Sequence, residues 1–459
     1  MQAWLPSSPK LLRRLGSRDA ALIVMGGIIG SGIFMNPSVV ARFVGSGRLV
    51  MAMWAAGGAI ALLGAGIFAE LAARRPHDGG LYAYLRDAFH PALAFVFGWT
   101  LLLVSQSGGM AAAAVTFANY FGQFAGFSLP VRAVAAVAIA VFTAINALGV
   151  RTGTTTQNAF MILKIVAIGA FAAIGIFAVR SAVQAPAAVP AGGMLATLGL
   201  AMVPVLFAYS GWQTSSFMTA ELRDPHATLP RGLLAGVVLV VLLYLSVNAT
   251  CLHALGVGGL ALTNTPASDV AAMVFGPAGR VALAIVIAIS TLGFLSNQIL
   301  TSPRVYFQMA ADGTFFKPLA WVNARTHAPV LAIVAQGAVA ILITLFLNYG
   351  QILNYVTAND YIFFGLAAIA LIVFRNRDAR DPSAPRPVFR MPGHPFTTAI
   401  FLAAAWYIVG NTIVNSPRDT LVGVAILLSG LPVYWLFTAR RSSPEAPRPA
   451  LAARNPPDR

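Results

Sequence analysis

An all-α integral membrane protein with twelve transmembrane helices is predicted by three features: an apolar composition, a succession of long apolar runs, and a skewed distribution of basic residues. Of 459 residues, 58% are hydrophobic and 10% charged, whereas a soluble domain carries roughly 25% charged residues. Such a chain cannot remain in water. A helix that crosses a bilayer needs about 20 mainly apolar residues. Runs of that kind fall at 19–44, 49–72, 92–117, 131–148, 155–179, 194–221, 232–255, 278–309, 329–347, 351–374, 396–414 and 420–437.

An even number of spans puts both termini on one side, and cytoplasmic loops are enriched in Lys and Arg. With the N-terminus inside, 23 of the 30 basic residues fall on the cytoplasmic side, six outside, and Lys164 within a helix. The expected location is a cell inner membrane or plasma membrane, with both termini cytoplasmic. The net charge of +16 then reports topology, with an anionic-lipid patch as the alternative reading. No nucleic-acid partner is expected, because no basic cluster is interleaved with base-stacking aromatics. The first 18 residues are polar and basic and lead into a full span, so no cleavable signal is read there. The single Cys251 falls in the seventh run, which excludes an internal disulfide.

The first run contains Gly26-Gly27-Ile28-Ile29-Gly30-Ser31-Gly32-Ile33-Phe34. Glycines there weaken the helix and admit close backbone approach. One reading is a helix-packing face of small residues. A dinucleotide loop is excluded, because no strand precedes it and no acidic residue follows at the required distance. A second interruption favours a break over a packing face: Val203-Pro204 and Phe207-Ala208-Tyr209-Ser210-Gly211-Trp212-Gln213 punctuate the sixth run. The first and sixth runs occupy equivalent places if the core is two five-helix halves. The odd number makes the second half enter from the opposite face. Broken helices at matching places of an inverted repeat point to a transporter site. At such a break, exposed N–H groups attract a carboxylate and freed carbonyls attract an ammonium. A zwitterionic amino acid presents both.

Ionisable groups within spans are costly and so mark candidate sites. Counted from the ends of their runs, Lys164, Asp360, Gly30, Phe207 and Ser290 reach one depth near mid-membrane. Lys164 is too central to snorkel to an interface, and a charge partner or a set of carbonyls is expected for it. Asp360 reads either as a pocket-lining carboxylate or as a residue in a helix–helix contact. Glu70 and Glu221 fall at cytoplasmic helix ends, where solvation at the interface is expected. The six histidines lack metal-ligand spacing, and no hydrolase or phosphate-loop motif is present. No metal, cofactor or enzymatic activity is expected.

The ordered motifs resemble the amino acid-polyamine-organocation superfamily, and within it the L-type amino acid transporter-like permeases. They are Gly26 to Phe34, Ala69 to Leu85 (AELAARRPHDGGLYAYL), Phe207 to Trp212 (FAYSGW) with Glu221-Leu222-Arg223-Asp224-Pro225, Pro303-Arg304 through Asp312-Gly313, and His327-Ala328-Pro329. The resemblance implies a LeuT-type fold: a ten-helix core over 19–374, with repeats at about 19–179 and 194–374, and two peripheral helices over 396–437. Segments 1–18, 375–395 and 438–459 become a cytoplasmic segment, a loop and a disordered tail. It implies that Ser31, Gly32 and the backbone of Ile28, Ile29 and Gly30 bind the substrate backbone. Phe207 supplies a carbonyl to the ammonium and an aromatic gate, while Ser210, Gly211 and Gln213 line the sixth-helix break. Lys164, facing Ser290, stands where sodium binds in sodium-coupled relatives, which implies sodium independence. Asp360 departs from the family's usual uncharged pocket residue and leaves selectivity open between neutral amino acids and cationic amino acids or polyamines. The loop between helices three and four has no cysteine, so no disulfide-linked ancillary subunit is expected. A channel or a non-transporting nutrient sensor would show the same hydropathy.

Overall fold

Pro and Gly punctuate the chain and set most of the helix boundaries. The computed structural model describes residues 15–439 apart from 31, 77–78, 123, 125–129, 179–193, 264, 348, 385 and 416. Among these residues the regular structure is helical, apart from one bridge between Leu15 and Leu222. Proline stands in the first turn of α5 (Pro91–Thr100), α10 (Pro225–Leu262), α11 (Pro266–Thr301) and α12 (Pro303–Ala311). There its missing N–H costs nothing and its fixed φ suits the helix.

The first expected span is two helices. α1 (Ser17–Ile28) and α2 (Gly32–Val44) are bent by 45°, and Ile29 leaves the helix at φ −74°, ψ 87°. The sixth is also interrupted. α9 (Met194–Tyr209) ends before Gly211, whose φ of 108° no ordinary helix residue adopts, and a 3-10 stretch (Trp212–Glu221) follows. The third is continuous from Pro91 to Gly122, but α5 and α6 (Gln106–Gly122) join through a π-helical turn, Leu101–Ser105. Such turns insert one residue and often mark functional sites.

Among the described residues, seven helices are long and apolar enough to cross a membrane, and the bent pair makes an eighth. Shorter apolar helices, Val131–Ala147, Asn158–Ala173 and Val330–Phe346, cover three further expected runs. α10 and α11 outrun the apolar segments expected for them and kink at Gly256 and Gly276. Large apolar side chains point outward, among them Val166 at 63% exposure, Leu242 at 60% and Trp435 at 66%. Apolar surface on that scale marks contact with membrane rather than water.

The packing encloses the two breaks. α1 lies against α10, α11 and α8 (Val150–Ala178), and α2 lies against α9. α14 (Tyr349–Ala379) closes the other side against α6, and α15 (Phe396–Asn415) packs outside it. Trp212 fixes the start of the 3-10 stretch. Its ring meets Phe68 edge-on at 4.8 Å and Phe364 at 4.9 Å.

Glu70 and Glu221 are not solvated at an interface; both are fully buried. Glu70 accepts from Arg74, from both arms of Arg375 and from the Met391 backbone N–H at 2.7 Å. Glu221 pairs with buried Arg304 at 2.9 Å. Tertiary contacts from distant segments create these partners. α14 also runs on to Ala379, so the expected loop starts several residues later. It then folds back on the bundle, where Met391 faces Gly66 and Glu70. Breaking one member of a buried ion pair costs about 3–5 kcal/mol, because its partner is left charged and unpaired. Glu221→Gln should therefore lower the unfolding temperature of the purified protein, while Glu221→Gln with Arg304→Met should recover most of the loss.

Candidate functional site

The two breaks touch each other through backbone. A Cβ on Gly211 would stand 1.9 Å from the Gly27 carbonyl oxygen, and one on Gly27 would stand 2.4 Å from the Gly211 oxygen. Only glycine on both sides permits this approach. Asn36 Nδ2 donates to the Pro204 carbonyl at 2.7 Å, so the half-helices also hold each other side to side. Asn297 Nδ2 donates to the Ile23 carbonyl at 2.9 Å and fixes α1 to α11.

Lys164 reaches this break. Its ammonium, buried on α8, donates to the Ile29 carbonyl that the end of α1 has freed. Gly293 lies beside it: a Cβ there would stand 3.6 Å from Lys164 Nζ, an ordinary contact, and 3.0 Å from Phe160 Cβ. The expected carbonyl partner is therefore present. Ser290, expected to face Lys164, is buried, and its hydroxyl has no hydrogen-bond partner among the described residues. A phenol that the sequence did not flag completes the break: Tyr244 donates to the Ile28 carbonyl at 3.1 Å, and that oxygen also accepts from Gly30 N at 2.8 Å.

A narrow cavity opens beside the crossing. Ile28, Gly30, Gly32, Phe207, Ser210, Gly211, Gln213 and Asp360 all line it. Ile29 is fully buried behind them, and Ser31 lies outside the described residues. Asp360 is thus in the pocket wall rather than in a plain helix–helix contact. The cavity also takes in residues the sequence reading passed over, chiefly Ser105, Gln106, Phe294 and Gln298. A signal for two of them existed. Ser105-Gln106-Ser107 is a polar triplet in the middle of an apolar run, and the π-helical turn ends at Ser105.

One expected contact is already filled. The Phe207 carbonyl, assigned to a substrate ammonium, accepts from both Ser210 N at 3.2 Å and Ser210 Oγ at 2.8 Å. A carbonyl oxygen has two lone pairs. The Gly211 carbonyl likewise accepts from Thr214 N at 3.2 Å and Thr214 Oγ1 at 2.8 Å. Gly211 N donates to Gln213 Oε1 at 3.0 Å, so Gln213 braces the turn while lining the cavity.

Two interrupted helices that cross at glycine beside a buried polar cavity, in a bundle with apolar outer faces, define a multi-pass membrane transporter. The chain belongs to the amino acid permease family, whose model it matches over residues 15–437. It is similar to the serine/threonine exchanger SteT of Bacillus subtilis, at 28% identity over 440 residues, 94% of this chain and 98% of that one. It is also similar to the b(0,+)-type amino acid transporter 1 of Rattus norvegicus, at 30% identity over 94% of this chain and 89% of that one. The Asc-type amino acid transporter 1 of Mus musculus is 30% identical over 95% and 83%. The protein is a carrier and not an enzyme.

Proposed function

We propose that the chain is a sodium-independent carrier of neutral amino acids that works by alternating access, with Lys164 in place of a coupling cation. The observation that carries this reading is the Lys164 ammonium seated on the Ile29 carbonyl inside the first break. One positive charge there holds the freed backbone oxygen as a bound sodium ion would. A side chain cannot dissociate at each turnover, so no ion gradient is consumed through it.

The breaks, standing at the head of two five-helix halves, support a LeuT-type inverted repeat of twelve spans. On this reading α15 and α16 (Pro417–Ala439) are peripheral, and the basic loops with both termini face the cytoplasm of a cell inner membrane or plasma membrane. Two relatives' names favour neutral substrates, the serine/threonine exchanger SteT of Bacillus subtilis and a large neutral amino acids transporter small subunit 2 of Homo sapiens. The chain's one cysteine, Cys251, is buried in α10, which favours a carrier without a disulfide-linked subunit. A second reading, cationic amino acids or polyamines, rests on Asp360 in the pocket wall.

The substrate carboxylate is assigned to the start of α2, where the first N–H groups from Gly32 on have no partner within the helix. Amino acid methyl esters should then compete at least tenfold less well than the parent amino acids. Equal competition by the esters would remove the carboxylate from recognition. Counterflow of radiolabelled amino acids into proteoliposomes tests the function itself: saturable counterflow is expected, whereas a sensor gives none and a channel gives no trans-acceleration.

A further inference from the structure

Between α14 and α15 the chain crosses α3 (Gly47–Arg74) near its end as an extended strap. Exposure alternates along it: Arg386, Val388 and Arg390 are exposed, Pro387 and Phe389 are half-buried, and Met391 is buried. That is the period of an extended segment with one face on the bundle. The inner face is tied down at Met391. Its N–H donates to Glu70 at 2.7 Å, its carbonyl accepts from Arg375, and its sulfur occupies the space that a Cβ on Gly66 would need. Gly66 stands eight residues before the last residue of α3, Arg74, which is about 12 Å back along the axis. It also falls within the apolar run 49–72. The strap therefore lies at the level of the bilayer surface rather than out in solution.

The outer face is open. Arg74, Arg75 and Arg375 pair with Glu70 or Asp378, Arg377 donates to the carbonyls of Asp87 and Ala88, and Asp381 accepts from Ser383. Among the described residues no ion pair engages Arg380, Arg386 or Arg390. The acids of this face are satisfied internally, and the charge left over is positive. Val388, between two arginines, is 68% exposed, and Phe396, where α15 begins, is 77% exposed. Bare apolar side chains beside unpaired arginines suit lipid: the apolar groups enter the headgroup boundary, and a guanidinium grips a phosphate with two N–H groups. We infer that the strap 386–390 is a binding site for anionic phospholipid, with Arg386 and Arg390 on headgroup phosphate and Val388 between them at the acyl boundary. The proposed topology turns this face to the cytoplasmic leaflet, where anionic lipid attracts basic segments beside a span. Because Met391 bonds both Glu70 and Arg375, a lipid seated on the strap also braces the junction of α3 with α14.

The test titrates the purified full-length protein, in a neutral detergent, with dioleoylphosphatidylglycerol, dioleoylphosphatidylcholine or inorganic phosphate, and follows the unfolding temperature. Phosphatidylglycerol should raise it by about 3 °C or more beyond phosphatidylcholine, and inorganic phosphate should leave it unmoved. Arg386→Gln with Arg390→Gln should weaken the apparent affinity for phosphatidylglycerol about tenfold or more. Arg132→Gln with Arg418→Gln removes the same charge from two exposed arginines elsewhere and should keep the wild-type affinity. An equal rise with phosphatidylcholine overturns the inference, because the site then does not read charge. An equal rise with inorganic phosphate overturns it as well, because no lipid is then needed. Equal weakening in the two double variants also overturns it, since the effect then follows net charge and not the strap. Neither readout uses transport, so a failure here leaves the proposed carrier function standing.

Discussion

Gly211→Ala is expected to abolish amino acid uptake. The residue sits at φ 108°, a region L-residues with a Cβ rarely enter, and its added carbon would lie 1.9 Å from the Gly27 oxygen and 2.6 Å from the Gly27 carbonyl carbon. Both obstacles are backbone, so no side-chain rotation relieves them. The half-helices would have to separate, and the cavity between them would lose its wall. A loss of 100-fold or more in uptake is expected, the equivalent of about 3 kcal/mol. Gly27→Ala should do the same, because its Cβ meets Gly211 O at 2.4 Å and Thr214 Oγ1 at 2.5 Å. Gly169→Ala and Gly410→Ala meet nothing within 4 Å and should transport normally. Initial uptake rates normalised to surface expression check all four. Equal rates for Gly211→Ala and Gly169→Ala would show that the breaks need not cross so closely.

Lys164→Ala carries the second large effect. Removing the ammonium leaves the Ile29 oxygen buried without its donor, which costs about 1–3 kcal/mol, and empties the space of a long buried side chain. The hydrogen bond that ties the end of α1 to α8 is then lost. Uptake should fall about 100-fold, corresponding to about 3 kcal/mol. Lys164→Arg should not rescue it. The planar guanidinium is wider than an ammonium, and the Lys164 side chain is already buried, 1% exposed, with α11 close beside it at Gly293. Gly293→Ala brings a carbon to 3.6 Å from Nζ but to 3.0 Å from Phe160 Cβ, so a smaller loss, roughly threefold to tenfold, is expected. A Lys164→Arg carrier with wild-type kinetics would contradict the fixed point charge.

Much of this site was legible because membrane burial makes the sequence speak in exceptions. Lys164 and Asp360 stood out as charges in apolar runs, and the glycines of 26–32 with the stretch 203–213 marked both breaks. What the sequence could not show was who partners whom. Tyr244 and Asn297 are ordinary residues on long apolar helices until folding brings them to the Ile28 and Ile23 carbonyls. The saturation of Phe207 O depends on Ser210 turning its hydroxyl back by three residues, which no residue pattern specifies. Glu70 and Glu221 misled for the same reason: their position at helix ends implied water, but Arg375 and Arg304 come from segments far along the chain. The π-helical turn before Gln106 was hidden, because one extra residue in a turn leaves hydropathy unchanged.

Uptake of radiolabelled amino acid into proteoliposomes, with sodium replaced throughout by choline, tests most directly whether Lys164 stands in for the coupling ion. Initial rates within about twofold of those in sodium are expected, together with the loss of uptake in Lys164→Ala under both conditions. A strict sodium requirement in the wild-type protein, or undiminished uptake by Lys164→Ala in choline, would contradict it.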